Sequence, residues 1–231
     1  MRNICFTSDK GNWALKGFAH QWNKYCGEPV EIVGYTPVID LPANFKFTSL
    51  GKFEDYPANK WSDALIKYLN MIDDEFLIIM LEDYWLCRPV NGEAVSRAIW
   101  MMNNTQNVAR MCLTTDRLYS RKIKDFASVD WLDVFESDKT DDYNMSFQTS
   151  IWRRSALLEL LVPGETPWEA ETNGTERINA SQWHVLGTRQ WPMKYTIVVN
   201  KGEVDKKGEW MFPPRTLTQN DWKELEDLHY V

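Results

Sequence analysis

The sequence predicts an α/β fold in which helices flank a mainly parallel central sheet, and three observations support this prediction. Short apolar segments alternate with segments of helical spacing through the first half of the chain. Residues 76–81 form an uninterrupted apolar run, which is typical of a strand buried on both faces of a sheet. The 231 residues, 44% of them hydrophobic, suffice for one domain with a sizeable core.

The first half of the chain opens as a β-α-β unit. A short apolar segment predicts the first strand, apolar residues at helical spacing predict a helix, and a Gly-Glu-Pro turn separates that helix from the second strand. Strands and amphipathic helices then alternate, which favours parallel strands. The predicted strands are 3–7, 30–35, 46–50, 76–81 and 108–113, and the predicted helices are 12–25, 61–71 and 92–102.

The pattern is less regular after residue 114. Residues 125–142 are acidic and polar with embedded aromatic residues, which predicts a mobile excursion. Polar and apolar residues alternate over 145–152, which predicts a half-exposed strand with Gln148 and Ser150 on one face. Residues 167–171 are interpreted as a compact acidic turn. The remaining predictions are helices at 153–161, 175–183 and 219–228 and a strand at 195–200.

The charge balance argues against a nucleic-acid-binding surface over the whole protein, since 26 basic residues face 33 acidic ones for a net charge of -7. Basic residues cluster only locally, at 121–124, 153–154 and 206–207. The four cysteines lack metal-binding or redox spacing. The amino terminus lacks a signal-peptide pattern, and no apolar run reaches the roughly 20 residues that span a bilayer. We therefore expect a cytoplasmic protein without a membrane span.

Two adjacent carboxylates, Glu82 and Asp83, end the apolar run at 76–81. Residues that follow the carboxyl ends of strands line the ligand sites of open α/β sheets. Carboxylates at such a place commonly hold a divalent cation, which in turn holds phosphates. The pair therefore predicts Mg²⁺ or Mn²⁺ on Asp83, with Glu82 beside a ribose or on the same cation. The alternative is a turn at the end of a strand with both acids in solvent.

A second pair of acids, Glu169 and Glu171, flanks a small residue and follows Trp168. A carboxylate that an indole partly shields from water has a raised proton affinity, which suits a general base near neutral pH. The alternative is a loop that caps a helix, because glutamate is favourable near a helix start. His184 either completes a metal site or is a partly buried structural histidine.

Several common nucleotide-binding and hydrolytic motifs are absent from the sequence. No Gly-x-Gly-x-x-Gly follows the first strand, and no Walker A sequence occurs. The Gly-x-Ser-x-Gly motif of many hydrolases is absent as well. A phosphate-bearing donor would therefore be held through a metal and local side chains.

As an ordered set, four features resemble small glycosyltransferases of the GT-A fold, a Rossmann-like class. They are the β-α-β opening, Leu-Glu-Asp-Tyr-Trp-Leu at 81–86, Phe-Gln-Thr-Ser-Ile-Trp-Arg-Arg at 147–154 and Pro-Trp-Glu-Ala-Glu at 167–171. The resemblance spans roughly residues 1 to 200. It implies a single GT-A-like domain over 1–231, with a nucleotide-sugar-binding half at 1–114 and an acceptor-side half at 115–231.

On the donor side, the resemblance implies a nucleotide-sugar, expected to be a UDP-sugar, held through Mn²⁺ or Mg²⁺ on Asp83 with Glu82 beside it. The usual motif of the fold is Asp-x-Asp, from which Glu-Asp-Tyr departs. Donor contacts to the nucleobase and ribose fall on Thr7, Ser8 and Asp9, which follow the first strand.

On the acceptor side, the resemblance implies an acid that removes the proton of the acceptor hydroxyl in an inverting reaction. Glu169 and Glu171 both match this place, and Glu169 is slightly favoured because it adjoins Trp168. Trp152 and Trp168 are the predicted acceptor-binding residues. If the enzyme instead retains configuration, Gln148 is expected beside the anomeric carbon.

The acceptor is left open between a glycan and DNA. The compact chain and its aromatic-rich carboxyl half also resemble small phage-type transferases that glycosylate hydroxymethylated bases in DNA, which would act in the host cytoplasm. Such an acceptor would use a flipped base and the basic regions at 117–124 and 201–207, while the overall acidity counts against it.

Two other functional classes stay open. The chain could be a non-catalytic carbohydrate- or nucleotide-binding module whose acids only cap loops. It could also be a metal-dependent nucleotidyltransferase, whose sheet and acids look similar. That class would normally carry a Gly-rich phosphate loop near its start, where only Gly11 and Gly17 occur.

Overall fold

Regular secondary structure extends over most of the chain, and the structure, a computed structural model, describes residues 1–38, 40–118, 122–200, 203–205 and 216–231. Within these residues the helices are α1 (Leu15–Tyr25), α2 (Trp61–Leu69), α3 (Gly92–Asn104), α4 (Arg154–Leu160), α5 (Pro167–Ala180) and α6 (Gln219–Asp227). The strands are β1 (Arg2–Phe6), β2 (Val30–Gly34), β3 (Phe45–Ser49), β4 (Phe76–Leu81), β5 (Tyr84–Leu86), β6 (Val108–Cys112), β7 (Ile123–Val129), β8 (Leu132–Ser137), β9 (Ser150–Arg153), β10 (His184–Thr188), β11 (Tyr195–Ile197), β12 (Val199–Asn200) and β13 (Glu203–Val204).

Nine strands form the main sheet in the order β3-β2-β1-β4-β9-β6-β10-β8-β7. Strands β1, β2 and β3 are parallel. Strands β4, β6, β10 and β7 share one direction, because β9 lies antiparallel between β4 and β6 while β8 lies antiparallel between β10 and β7. The predicted α/β fold with a mainly parallel sheet flanked by helices is therefore confirmed, and β9 and β8 are its reversed strands.

The described residues form two compact units. One comprises Met1–Asn3, Leu50–Ile79 and Asn91–Pro192, and the other comprises Ile4–Ser49, Met80–Val90 and Met193–Val231. We call them the first and the second unit. Each unit draws on both halves of the sequence. The assignment of residues 1–114 to the donor and 115–231 to the acceptor stays a prediction.

Large buried side chains give each unit its own core. In the second unit, Trp85 of β5 is fully buried and packs against Gly17 of α1, where an added Cβ would lie 2.1 Å from the indole. In the first unit, Arg110 of β6 and Trp152 of β9 are both fully buried, and the guanidinium carbon lies 5.8 Å from the centre of the Trp152 ring. Ser150, Asp116 and two backbone carbonyls accept hydrogen bonds from Arg110, so its buried charge is compensated.

Residues 125–142 are not the predicted mobile excursion, because most of them belong to the hairpin of β7 and β8. Strand β8 pairs with β7 on one side and with β10 on the other. Leu132, Val134 and Phe135 of β8 are buried, whereas Lys124 and Asp125 of β7 are exposed at the edge of the sheet. The prediction was wrong because these exposed charges obscure the alternation of an edge strand.

The strand predicted over residues 145–152 is shorter than expected and consists of β9. The N–H of Met145 donates to Oγ1 of Thr175 at 3.2 Å, and the N–H of Phe147 donates to Oε1 of Glu171 at 2.7 Å. Because these donors bind side chains of α5, residues 145–149 do not extend the strand.

Helix α5 begins well before the helix predicted at 175–183, and the predicted acidic turn at 167–171 is its first turn. Thr166 and Glu169 form a capping box, in which each side chain accepts the backbone N–H of the other residue. Pro167 takes the first helical position, where its missing N–H costs nothing. Local capping chemistry therefore overrides the turn interpretation.

The described residues include only part of the predicted basic regions. The predicted basic cluster at 121–124 includes Arg121, and Lys201, Lys206 and Lys207 belong to the region at 201–207; these four residues lie outside the described part of the chain. None of the helices that the structure describes is both long enough and apolar enough to cross a membrane.

Candidate active site

The two acids predicted from the sequence lie in the turn between β4 and β5 in the second unit. Both side chains are partly buried. Burial and, to a smaller extent, the negative charge of Asp83 together raise the pKa of Glu82 to about 8. Burial also raises the pKa of Asp83 to about 6. The turn therefore concentrates two carboxylates that water solvates poorly, an arrangement that a bound cation would stabilise.

Glu82 packs against the turn that follows β1. A Cβ added to Gly11 would lie 1.7 Å from Oε1 of Glu82, so only glycine leaves room for the carboxylate there. The N–H of Gly11 donates to the carbonyl of Ser8 at 2.8 Å and closes this turn. The indole N–H of Trp85 donates to the carbonyl of Glu82 at 3.0 Å. Together these contacts fix the acidic turn beside the loop after β1.

The loops after β1 and β2 meet at Asp9, also in the second unit. Its Oδ1 accepts the N–H of Thr36 at 2.9 Å, and its Oδ2 accepts the Thr36 hydroxyl at 2.6 Å. Asp9 and Ser8 are partly exposed, whereas Thr7 is buried and its hydroxyl donates to the Ser8 carbonyl. Ser8 and Asp9 are therefore accessible to a ligand, and Thr7 contributes mainly through the backbone.

Glu82 and Asp83 are suitable ligands for a divalent cation that also holds phosphates. Mg²⁺ of this kind is commonly bound through one or two carboxylates, with water and phosphate oxygens in the other positions. No group of three or more His, Cys, Asp or Glu side chains placed to hold a metal occurs within the described residues. The nearby Cys5 is fully buried, and burial together with both carboxylates raises the pKa of its thiol, so it stays protonated.

His184 is engaged within the first unit. It is the first residue of β10, and its Nδ1 lies 2.5 Å from Oε1 of Glu136, whose Oε2 lies 3.0 Å from Nζ of Lys124. This contact occupies Nδ1 of the ring, and the predicted metal role of His184 stays a prediction. We leave His184 out of the proposed metal site.

Glu169 and Glu171 differ sharply in their surroundings, although both belong to the first turns of α5. The backbone N–H and the hydroxyl of Thr166 donate to Oε2 of Glu169 and lower its pKa. Burial raises the pKa of Glu171, despite hydrogen bonds from the Phe147 N–H and the Ser146 hydroxyl that lower it. Glu171 is partly exposed and thus has the proton affinity and the access that a general base needs.

The two tryptophans predicted to bind an acceptor also differ in their exposure to solvent. The prediction for Trp152 was wrong, because this side chain is fully buried in β9 and cannot contact an acceptor. Trp168 is 67% exposed at the start of α5. Trp61, which the sequence predicted only as part of the apolar face of a helix, packs edge-on against Phe147 with ring centres 4.6 Å apart. Trp61 is partly exposed, and local periodicity does not reveal its long-range contact with Phe147.

Gln148 lies at the ligand-binding edge of the sheet in the first unit. Ser150, two residues later, pairs with Ile79 near the carboxyl end of β4 and with Cys112 at the carboxyl end of β6. Gln148 is partly exposed, and its carbonyl accepts the Ser150 hydroxyl at 2.7 Å. The motif at 147–154 therefore occupies the edge where open α/β sheets bind ligands.

Solved structures of nucleotide-sugar enzymes have a similar fold. S. aureus TarS 1–349 in complex with UDP-GlcNAc is 14% identical with a TM-score of 0.50, and the match covers 84% of this chain and 57% of that chain. UDP-glucose pyrophosphorylase from Acinetobacter baumanii is 11% identical with a TM-score of 0.52, and the match covers 98% of this chain and 99% of that chain.

The matches cover different shares of the solved structures. The chain spans 57% to 59% of the length of the TarS 1–349 structures. No protein-family model and no curated protein matches the sequence. The likenesses show the predicted GT-A-like, Rossmann-like fold, and they give no support to the phage DNA-modifying type.

Proposed function

We propose that this protein transfers a glycosyl group from a UDP-sugar to a hydroxyl acceptor. One observation carries the proposal: Glu82 and Asp83 form a partly buried acidic turn at the end of β4, and no basic side chain contributes to either pKa shift. Near neutral pH a bound cation would keep Glu82 ionised beside Asp83. TarS binds UDP-GlcNAc on a similar fold, which supports the choice of donor.

On the donor side, Glu82 and Asp83 would hold Mn²⁺ or Mg²⁺ while the loop of Ser8 and Asp9 contacts the ribose and the base. When bound, the cation would offset the negative charge on the diphosphate leaving group. The bond between the anomeric carbon and the phosphate oxygen breaks, and its electron pair leaves with the nucleoside diphosphate. Asp9 is held by Thr36 before any ligand arrives, so it needs little reorganisation.

On the acceptor side, Glu171 would take the proton of the attacking hydroxyl as its oxygen bonds to the anomeric carbon. The two hydrogen bonds that the Phe147 N–H and the Ser146 hydroxyl donate fix the carboxylate and leave lone pairs for the proton. The burial that raises the pKa of Glu171 makes it a stronger base than an exposed glutamate. This base on the acceptor corresponds to an inverting reaction.

A purely binding role for the acids is less well supported than catalysis. An acid that only caps a helix or loop accepts backbone N–H groups and has a lowered pKa, as Glu169 does. Glu82, Asp83 and Glu171 all have raised pKa values. Carboxylates with raised proton affinity cluster at catalytic sites more often than at structural ones.

Nucleotidyl transfer is the second candidate, because the UDP-glucose pyrophosphorylase matches nearly the whole chain. A nucleotidyltransferase needs a loop near its start that surrounds phosphates with backbone N–H groups and basic side chains. In this chain that loop contains Gly11, and the carboxylate of Glu82 occupies the space where a side chain at Gly11 would lie. The Glu82 side chain thus occupies the space beside Gly11 that a phosphate would need, which favours glycosyl transfer.

The donor assignment is tested with a panel of nucleotide-sugars and Mn²⁺, with mass spectrometry of the products. We expect Asp83→Asn to lose at least about 100-fold in turnover while its folding stays intact. Asp130→Asn is the matched control, since Asp130 lies at φ 53° in the β7–β8 turn, a conformation that asparagine adopts readily.

Equal turnover in the two variants would overturn the metal assignment. No turnover of any nucleotide-sugar by the wild-type protein would overturn the function. Formation of a UDP-sugar and pyrophosphate from UTP and a sugar 1-phosphate would identify a nucleotidyltransferase instead.

The base is tested with two glutamates of one helix. Glu171→Gln should lower the kcat of transfer by about 10²- to 10⁴-fold, because glutamine cannot accept the proton. Glu169→Gln should leave kcat unchanged, because glutamine also completes a capping box. The opposite ranking in a transfer assay would assign the base to Glu169.

A further inference from the structure

We infer that the acceptor is an uncharged saccharide, one ring of which stacks on an aromatic corner formed by Trp61 and Trp168 beside Glu171. The inference rests on the proposed glycosyl transfer and adds the substrate class of its acceptor. All three residues belong to the first unit.

The corner is built where α2 and α5 begin. The N–H of Ser62 donates to the carbonyl of Glu165 at 3.1 Å, and the N–H of Glu165 donates to the hydroxyl of Ser62 at 3.0 Å. Both linking residues are buried. Trp61 precedes Ser62 directly, and Trp168 follows Glu165 by three residues. This reciprocal pair therefore holds the segments that carry the two indoles together.

Both indoles are connected to the proposed base. Trp168 and Glu171 are three residues apart on α5, so they are neighbours on one face of the helix. Trp61 packs on Phe147, whose N–H donates to Oε1 of Glu171 at 2.7 Å. A ring that contacts this corner therefore brings its hydroxyl groups near the carboxylate.

An exposed indole beside a carboxylate suits a sugar ring. Trp168 leaves 67% of its surface in water, so its indole is accessible to a ligand. The C–H face of a pyranose is apolar and packs on an indole, while the hydroxyls around its rim need hydrogen-bond acceptors. Trp168 supplies the apolar surface and Glu171 supplies an acceptor.

The charge of the corner disfavours a nucleic acid. Helix α5 carries three glutamates and one arginine. That arginine, Arg177, is bound bidentately to Glu165 at 2.9 and 2.7 Å and also donates to the carbonyl of Leu160. Nucleic-acid binding requires several basic side chains on phosphates, and acids in their place repel the backbone. An uncharged acceptor avoids this repulsion.

The reaction balances with a saccharide hydroxyl as the acceptor. The hydroxyl oxygen forms a bond to the anomeric carbon of the donor, and its proton passes to Glu171. The bond from that carbon to the diphosphate breaks, and the electron pair leaves with UDP. No oxidant or reductant is needed.

The test compares transfer with donor hydrolysis, in which water replaces the acceptor. Neutral disaccharides (maltose, cellobiose, lactose and diacetylchitobiose) and hydroxymethylated duplex DNA are offered in parallel with UDP-sugars and Mn²⁺. We expect a disaccharide to be glycosylated. We expect Trp168→Ala to raise the acceptor KM by about tenfold, because acceptor stacking is lost.

Two further variants make this result specific. Trp100→Ala is the matched control, because Trp100 is 55% exposed on α3. Trp61→Leu keeps an apolar contact with Phe147 and should also raise the acceptor KM while the protein stays folded. An unchanged KM in both Trp168→Ala and Trp61→Leu would overturn the aromatic corner.

The outcomes separate the inference from the function on which it rests. Donor hydrolysis with transfer to DNA and to none of the disaccharides would overturn the saccharide acceptor and leave glycosyl transfer in place. Neither hydrolysis nor transfer of any UDP-sugar would overturn the proposed function and this inference together.

Discussion

Replacing Gly11 with alanine tests the donor site through a single methyl group. The new Cβ would lie 1.7 Å from Oε1 of Glu82, 2.4 Å from its Cδ and 2.7 Å from its Cγ. Ordinary contact requires about 3.5 Å, so the carboxylate has to move by roughly 2 Å. Gly11 has φ -92°, which alanine adopts without strain. The substitution therefore displaces Glu82 and leaves the backbone unstrained.

The stability and the activity of Gly11→Ala should respond differently. The carboxylate is the free end of a flexible side chain, so its displacement costs little, and alanine restricts the unfolded chain by about 0.4–1 kcal/mol in favour of folding. A misplacement of about 1 Å in a catalytic group can cost 100-fold in rate. We expect a melting temperature within about 4 °C of wild type and a loss of about 10- to 100-fold in Mn²⁺-dependent donor turnover.

The assay is Mn²⁺ titration of donor hydrolysis, with thermal melts of the same samples. Gly92→Ala is the matched control, because a Cβ at Gly92 meets nothing within 4 Å. In the Glu82→Ala background, Gly11→Ala should cause no additional loss, since the displaced carboxylate is already gone. Full Mn²⁺-dependent turnover in a folded Gly11→Ala protein would refute a functional position of Glu82. A loss from Gly11→Ala that is as large in the Glu82→Ala background as in the wild-type background would refute it as well.

Four other predictions follow from the structure. Mn²⁺ affinity, measured by calorimetry, should rise up to tenfold per pH unit between pH 7 and 8, because binding displaces the proton of Glu82 (pKa about 8) while most of Asp83 (pKa about 6) is already ionised. The raised pKa values favour the protonated folded state, so without metal the melting temperature should fall as pH rises from about 4.5 to about 8; a rise would contradict these pKa shifts. Thr166→Ala should cost about 1 kcal/mol in thermal unfolding and leave donor hydrolysis unchanged, because it removes a helix cap; unchanged stability would contradict the cap. Lys139→Met should lower the melting temperature, because Lys139 donates to three backbone carbonyls around the end of α5; an unaltered melting temperature would show that those bonds contribute nothing.

The order of strands and helices in the first half could be predicted from the sequence, because local patterns specify these elements. The run at 76–81 is β4, and the acids after it lie in a turn, as the chemistry of a strand end suggests. Each of these features depends on neighbouring residues alone. Periodicity and turn residues therefore sufficed.

The second half was harder to predict, because distant contacts decide its elements. Strand β8 is defined by pairing with both β7 and β10, and no local signal identifies β10 as its neighbour. The start of α5 did have a local signal, since Thr-Pro-Trp-Glu at 166–169 combines a capping box with proline at the first position. That signal was open to two interpretations, a base or a cap, and the hydrogen bonds of Thr166 favour the cap for Glu169.

Discrimination between Glu169 and Glu171 requires contacts that the sequence does not encode locally. The two residues share a helix and a chemical type, and only Glu171 accepts the N–H of Phe147, which lies 24 residues away in the chain. The same holds for Gly11 and Glu82, whose contact joins the loop after β1 to the turn after β4. Residue type therefore indicates which side chains are able to perform chemistry, whereas long-range contacts set their proton affinity and position. It follows that substitutions at Gly11 and Phe147, neither of which has a reactive side chain, are as informative about the site as substitutions of the acids themselves.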